Sequence, residues 1–186
     1  MAASFQIMEK GIDHQIPMPN VILPEKLATG LEQVEEIKTI DPIRYKRLKA
    51  VLPRVFDFKP VERFTTQLAK NGQPHNHIWM RTSEKMKLDA RMRHLLLAYV
   101  SDYNLLTTAT LPHRETLNPT GALIASLDHA IWFHRQFDLT DWLLYEMESP
   151  SASNARGFSR GSIFNRKGTL VASVTQEGLI RQREQR

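Results

Sequence analysis

The sequence predicts an α+β fold, one long helix lying against an antiparallel sheet, and three observations carry that prediction. First, "SEKMKLDARMRHLLLAYVSDYNLL", starting at Ser83, has sustained helical spacing: Leu88, Met92, Leu95, Leu96, Tyr99 and Leu106 recur along one stripe. Second, strand-like runs stand on both sides of it, two before and four after. Third, "NRKG" joins the last two runs as a hairpin loop, with Gly168 at a position that favours left-handed backbone. Runs of strands around a single helix give helix-on-sheet rather than the alternation of a parallel sheet. A helix that is apolar along most of one side and enclosed by a curved sheet is the hot-dog plan.

In chain order, residues 1–50 read as an extended, proline-containing connector with short helices. "HQIPMPNVILPEKL" carries Pro17, Pro19 and Pro24, which deny both helix and central strand. It is too apolar for a free linker and is expected to lie against something. "TGLEQVEEIKTI" and "DPIRYKRLKAVL" are helix candidates, the second with Asp41 as N-cap and Pro42 at the first helical position. Residues 51–182 form the hot-dog domain. Its strand runs are "VFDFKPVERFTT", interrupted at Pro60, then "NGQPHNHIWMRTS", "ALIASLDHAIWFHR", "WLLYEMES", "ARGFSRGSIFN" and "TLVASVTQEGLIR". Ser83 is the expected N-cap of the long helix, with Glu84 in its first turn. Residues 183–186 are expected to be a frayed basic tail.

A length of 186 residues suits one domain plus an extension, and a hydrophobic fraction of 41% supports a real core. The absence of cysteine removes disulfides, thiolate metal sites and a cysteine nucleophile. A net charge of +5 fits nucleic acid, a membrane surface, a polyanionic small molecule or a solvated basic surface. The first residues show no signal-peptide pattern, no apolar run approaches a membrane span, and the last three residues are not a peroxisomal signal. A cytoplasmic protein without membrane insertion is expected.

Three polar residues fall on apolar faces. Asp102 continues the helix stripe three residues beyond Tyr99 and is expected to point inward. Either the helix ends there and the carboxylate meets water or a backbone amide, or the aspartate is a general base. Gln176 shares a strand face with Leu170, Ala172, Val174 and Ile180. It is either a satisfied structural amide or one that orients a water or a carbonyl. Ser126 alternates with Ala122, Ile124, Asp128 and Ala130 and is either filler, the usual fate of a strand serine, or a nucleophile. A Ser–His–Asp triad of Ser126, His129 and Asp128 is not expected, because strand alternation separates them and no nucleophile elbow is present. The histidines of "HNH" (His75 and His77) and the pair His129 and His134 lack a third ligand, so no metal and no cofactor is expected. Asp128, His129, His134 and Arg135 read as a shell that fixes their strand.

"LLLAYVSDYNLL", "IASLDHAIWFHR", "WLLYEMESPSASNARGFSRGSIF" and "GTLVASVTQEGLIR" resemble, in order and at matching intervals, the acyl-CoA thioesterase II family. "ASFQIMEKGIDHQIPMP" is similar to that family's connector between two hot-dog domains. The resemblance implies hydrolysis of acyl-CoA to free fatty acid and coenzyme A. It places the family's catalytic aspartate, serine or threonine, and glutamine on Asp102, Ser126 and Gln176. It also gives the basic surface a use, with Arg156 and Arg160 as candidate contacts to the phosphates of coenzyme A or else as solvated arginines. The chain resembles only the second of the family's two hot dogs. Self-association, or pairing with a separate first hot-dog domain, is therefore expected. The competing expectations are a non-catalytic acyl-CoA-binding or structural subunit that needs the missing domain, and nucleic-acid binding. The latter is disfavoured because interleaved aromatics and helix-turn-helix spacing are lacking.

Overall fold

The computed structural model describes residues 2–7, 9–51, 55–63, 73–84, 86–114, 116–117 and 122–182. The basic tail at 183–186 lies outside the described residues. Two short helices come first, α1 (Gly30–Glu36) and α2 (Pro42–Val51). Strands β1 (Phe56–Pro60) and β2 (His75–Thr82) follow, then α3 (Ala90–Val100) and α4 (Leu105–Thr108). Five strands close the domain: β3 (Ala122–Ser126), β4 (Ala130–Phe133), β5 (Leu143–Ser153), β6 (Arg156–Asn165) and β7 (Leu170–Gln182). All pairings are antiparallel. The sheet order is β1-β2-β5-β6-β7-β3, with β4 also pairing β7, so β3 and β4 lie end to end along one edge of the long last strand. The sheet curls round the long helix, as the sequence leads one to expect.

Strand alternation splits the core into two layers. On the helix side, Ile78, Met80, Leu143, Tyr145, Met147, Ile163, Ala172 and Val174 pack with Leu97, Val100 and Leu105. On the other side, Trp79, Trp142, Leu144, Phe164 and Leu170 pack with Met18, Val21 and Leu27 of the connector. The apolar connector thus covers the outer face of the sheet. Trp79 Nε1 donates to the Ile22 carbonyl at 2.9 Å, which holds the connector where its prolines forbid a ladder. The Gln15 side chain donates to Gly168 O at 2.7 Å and accepts from Leu170 N at 3.0 Å, standing in for a strand partner. Both connector helices form as expected. Thr29 and Glu32 make a capping box for α1, and Asp41 Oδ1 accepts from Arg44 N at 2.9 Å at the start of α2.

Four expectations need correction. The long helix starts at Ala90, not after Ser83. Ser83 N is taken by Val55 O, and Thr82 Oγ1 bonds Glu84 O, so this segment belongs to the sheet edge. Asp89 is the true N-cap and accepts from Met92 N at 2.7 Å. Second, the stripe the helix buries is Leu97 and Val100, with Leu88 and Leu96 partly covered. Met92, Leu95 and Tyr99 are instead 45, 54 and 57% exposed. The helix therefore has two apolar stripes, and only one meets this sheet. Third, "ALIASLDHAIWFHR" is two strands. Leu127 N and Asp128 N both turn to Glu177 O, at 3.0 and 3.3 Å, so two residues oppose one, as in a β-bulge. Finally, the β6–β7 register slips between Ile163 and Phe164, which puts Leu170 on the connector side, away from Ala172 and Val174.

Candidate active site

The end of α3 sets the position of Asp102. Tyr103 N bonds Val100 O at 3.1 Å, and Asn104 adopts a left-handed φ of 66°, which asparagine tolerates better than most residues. The chain then turns directly into α4. Asp102 lies within this turn and is exposed, so its expected inward placement does not hold: it continues the uncovered stripe of Met92, Leu95 and Tyr99. The adjacent Ser101 is fully buried.

Gln176 is also fully buried, on the helix side of β7. Its amide Nε2 donates both to Asp102 Oδ1 and to Ser126 Oγ, the latter at 3.0 Å. Asp102, Ser126 and Gln176 thus converge from the end of a helix, the end of an edge strand and the middle of a long strand. Gly178 pairs directly with Ser126 across the β3–β7 ladder, so Ser126 stands diagonal to Gln176 on one face of the sheet, and Leu106 of α4 fills the place where a side chain on Gly178 would stand.

The amide fixes the polarity of the cluster. A carboxylate accepts only, so the side of Gln176 facing Asp102 must be its NH₂. That leaves Ser126 Oγ as an acceptor toward Gln176 and frees its own proton to donate outward. Gln176 Oε1, and Ser159 Oγ on its direct cross-strand partner, are buried without a hydrogen-bond partner among the described residues. Asp102 and Ser126 are exposed and Gln176 is not, so two of the three can meet a ligand while the third holds them.

A second layer supports the turn. Tyr145 donates its hydroxyl to Ser101 O at 2.8 Å. Burial, reinforced by the charge of Asp102, pushes this phenol well above its ordinary value, so it remains a neutral donor. His129 Nε2 lies 3.1 Å from Ser101 Oγ. Tyr99 and Tyr103 share a 2.7 Å hydroxyl contact. That hydrogen bond, together with burial, pushes Tyr103 up to about 12. Sequence reasoning missed Ser101 and Tyr145, which carry no signal beyond being a small residue and a core aromatic. It read His129 only as part of the shell that fixes its strand, because regular alternation turns it away from Ser126; the bulge at 127–128 brings it to the helix side, where it meets Ser101 and not Ser126. The rest of the expected shell fixes the strand. Asp128 Oδ1 accepts from Glu177 N at 2.8 Å, His134 Nε2 meets Ser173 Oγ at 2.9 Å, and Arg135 bonds Leu170 O and the connector at Asp13 and His14.

Arg156 and Arg160 do not join the cluster. The burial alternation of β6 puts them on the sheet face opposite Ser159, where Arg156 pairs with Glu177 and Arg160 with Glu148. The histidines of "HNH" likewise lie elsewhere: His77 Nδ1 contacts Glu62 at 2.7 Å.

A family model described as acyl-CoA thioesterase matches residues 54–179, and this span contains all three converging residues. The chain belongs to the acyl-CoA thioesterase family. It is 36% identical to acyl-CoA thioesterase 2 of Haemophilus influenzae, an alignment covering 97% of this chain and 63% of that protein. It is 34% identical to human acyl-coenzyme A thioesterase 8, over 98% of this chain and 59% of that one. Among solved structures, the acyl-CoA thioesterase II TesB2 of Mycobacterium marinum superposes with a TM-score of 0.74 at 32% identity, covering 96% of this chain and 61% of that one. A hot-dog protein from Alicyclobacillus acidocaldarius superposes at 0.63 with 14% identity, covering 94% of this chain and 58% of that one, which shows the fold alone. The chain spans about three-fifths of the length of these relatives.

Proposed function

We propose that this thioesterase chain hydrolyses fatty acyl-CoA to free fatty acid and coenzyme A by general-base activation of water. The observation that carries the reading is the single buried amide of Gln176 binding Asp102 and Ser126 at once. Asp102 takes a proton from a water as it adds to the thioester carbonyl carbon. The C–S bond of the tetrahedral adduct then breaks, and the departing sulfur regains the proton from Asp102. Ser126, with its proton directed outward, holds the water or the carbonyl oxygen. Positioning of this kind lowers the entropic cost of attack. No covalent enzyme intermediate is needed. Arg156 and Arg160 remain candidate contacts to the phosphates of coenzyme A, each with guanidinium N–H groups beyond the one that meets its carboxylate.

The test is release of free thiol from a panel of acyl-CoAs. Asp102→Asn is expected to lower kcat by about 10²- to 10⁴-fold, the usual worth of a general base. Unchanged turnover in that variant sinks the assignment.

A second reading is favoured by the uncovered stripe of Met92, Leu95 and Tyr99, which ends at Asp102. In it the chain binds acyl-CoA but turns it over only when a separate first hot-dog domain covers that stripe. It predicts binding without thiol release by the isolated chain, and release on adding the partner. Under both readings the chain self-associates or pairs. A sharp monomer at all concentrations by sedimentation, together with full activity, argues against either kind of completion.

A further inference from the structure

We propose that His129 is a positioning residue: its Nε2–H holds Ser101 and thereby fixes the turn that presents Asp102. The inference rests on the hydrolytic reading above. Ser101 Oγ donates its one proton to Ala98 O at 2.9 Å, one turn back along α3. Toward His129, at 3.1 Å, the same oxygen can only accept. Nε2 must therefore carry the hydrogen, which fixes the tautomer of a neutral ring. Ser101 is fully buried and is gripped at a second point, because Tyr145 donates to its carbonyl at 2.8 Å. That carbonyl lies in the same rigid peptide plane as Asp102 N. Tyr145 thus sets the plane before the aspartate, His129 sets the side chain behind it, and Gln176 sets the carboxylate itself.

The grip depends on the bulge. In a regular strand Ser126 and His129, three apart, point to opposite faces. Because Leu127 N and Asp128 N share Glu177 O, the strand gains a residue there, and His129 returns to the helix side with Ser126. The regular ladder places Ser126, and the one irregularity after it brings His129 to the same side, where it acts through Ser101.

The experiment has two arms on the 186-residue chain. The first uses nitrogen-15 NMR of the histidine rings and needs no turnover. His129 is expected to show the Nε2–H tautomer and to lose that preference in Ser101→Ala. An Nδ1–H ring, or no response to Ser101→Ala, overturns the proposal. The second arm measures thiol release. His129→Ala is expected to lower kcat by about ten- to a hundredfold, the scale of a small misplacement of a reacting group, with KM within about twofold. His129→Gln, which keeps an N–H donor at that reach, is expected to recover most of the loss. Ser101→Ala and His129→Ala are expected to be non-additive in kcat, because they break one contact. Multiplying effects, or a loss that appears only in KM, overturn the proposal. A chain that releases no thiol from any acyl-CoA removes the hydrolytic reading, and the NMR arm still decides whether His129 holds Ser101.

Discussion

Tyr145 donates to a carbonyl that sits inside the core, on a serine that is itself fully buried. Tyr145→Phe removes the donor and leaves Ser101 O unpaired. The expected cost is about 1–3 kcal/mol of stability, read as a lower urea midpoint, because an unpaired buried acceptor retains its desolvation penalty. His77 gives a pH-dependent case. Burial opposes its charge, but the hydrogen bond and charge of Glu62 outweigh burial, so its pKa rises above the ordinary 6.5. A group raised on folding stabilises the fold fully below its unfolded pKa, and that stability is lost as pH rises through the folded value. The melting temperature is thus expected to fall as pH rises above about 6.5, the ordinary histidine value, and His77→Asn should flatten that decline. A variant that melts with the same pH slope as the parent disproves the linkage. At this scale the sequence made Asp102 and Gln176 legible, because a polar group breaking an apolar period stands out, whereas Ser126, sharing its face with Asp128, stood out only through the family resemblance. Ser101 and Tyr145 break no period and were invisible.

Helix α3 is capped by Asp89, whose carboxylate accepts from Met92 N. Asp89→Ala is expected to cost about 0.5–2 kcal/mol, whereas Ser83→Ala costs little, and chemical denaturation distinguishes the two. Both residues suit an N-cap by type. The choice fell to Asp89 because the sheet claims the backbone of Ser83 through Val55. The packing of α4 on β7 depends on Gly178, where a Cβ would collide with Leu106. Gly178→Ala is expected to destabilise by about 1–3 kcal/mol through overpacking and, by moving the Ser126 end of β3, to lower thiol release as well. Leu106→Ala in the same chain should restore part of the stability by making room. Periodicity could not reveal the bulge after Ser126. A bulge is a property of two strands, and only the pairing with β7 shows that two amides share one carbonyl.

At the scale of the molecule, the connector is a wall of the fold. It covers Trp79, Trp142, Leu144, Phe164 and Leu170 from the side away from the helix. Met18→Asp with Val21→Asp is expected to shift tryptophan emission to longer wavelength and lower the melting point, since charges there would otherwise be buried against indoles. Emission unchanged from the parent chain counts against this role. The helix side is different: α3 carries a second apolar stripe that this sheet does not cover. The same stripe leads to Asp102, so the exposed apolar face of the helix borders the candidate site. Among the described residues no helix is long and apolar enough to cross a membrane.

The sequence alone determined the composition of the parts: one helical segment, strand runs with a hairpin, an apolar proline-rich connector, and polar residues interrupting apolar periods. These are local properties, written in spacing and residue type. The tertiary structure decided which apolar stripe of the helix was buried, where the helix began, and that Asp102 stayed exposed. It also decided that a bulge brought Ser126 and His129 to the same side. Each of these depends on which backbone group a distant residue claims, and spacing along one strand or helix carries no record of that.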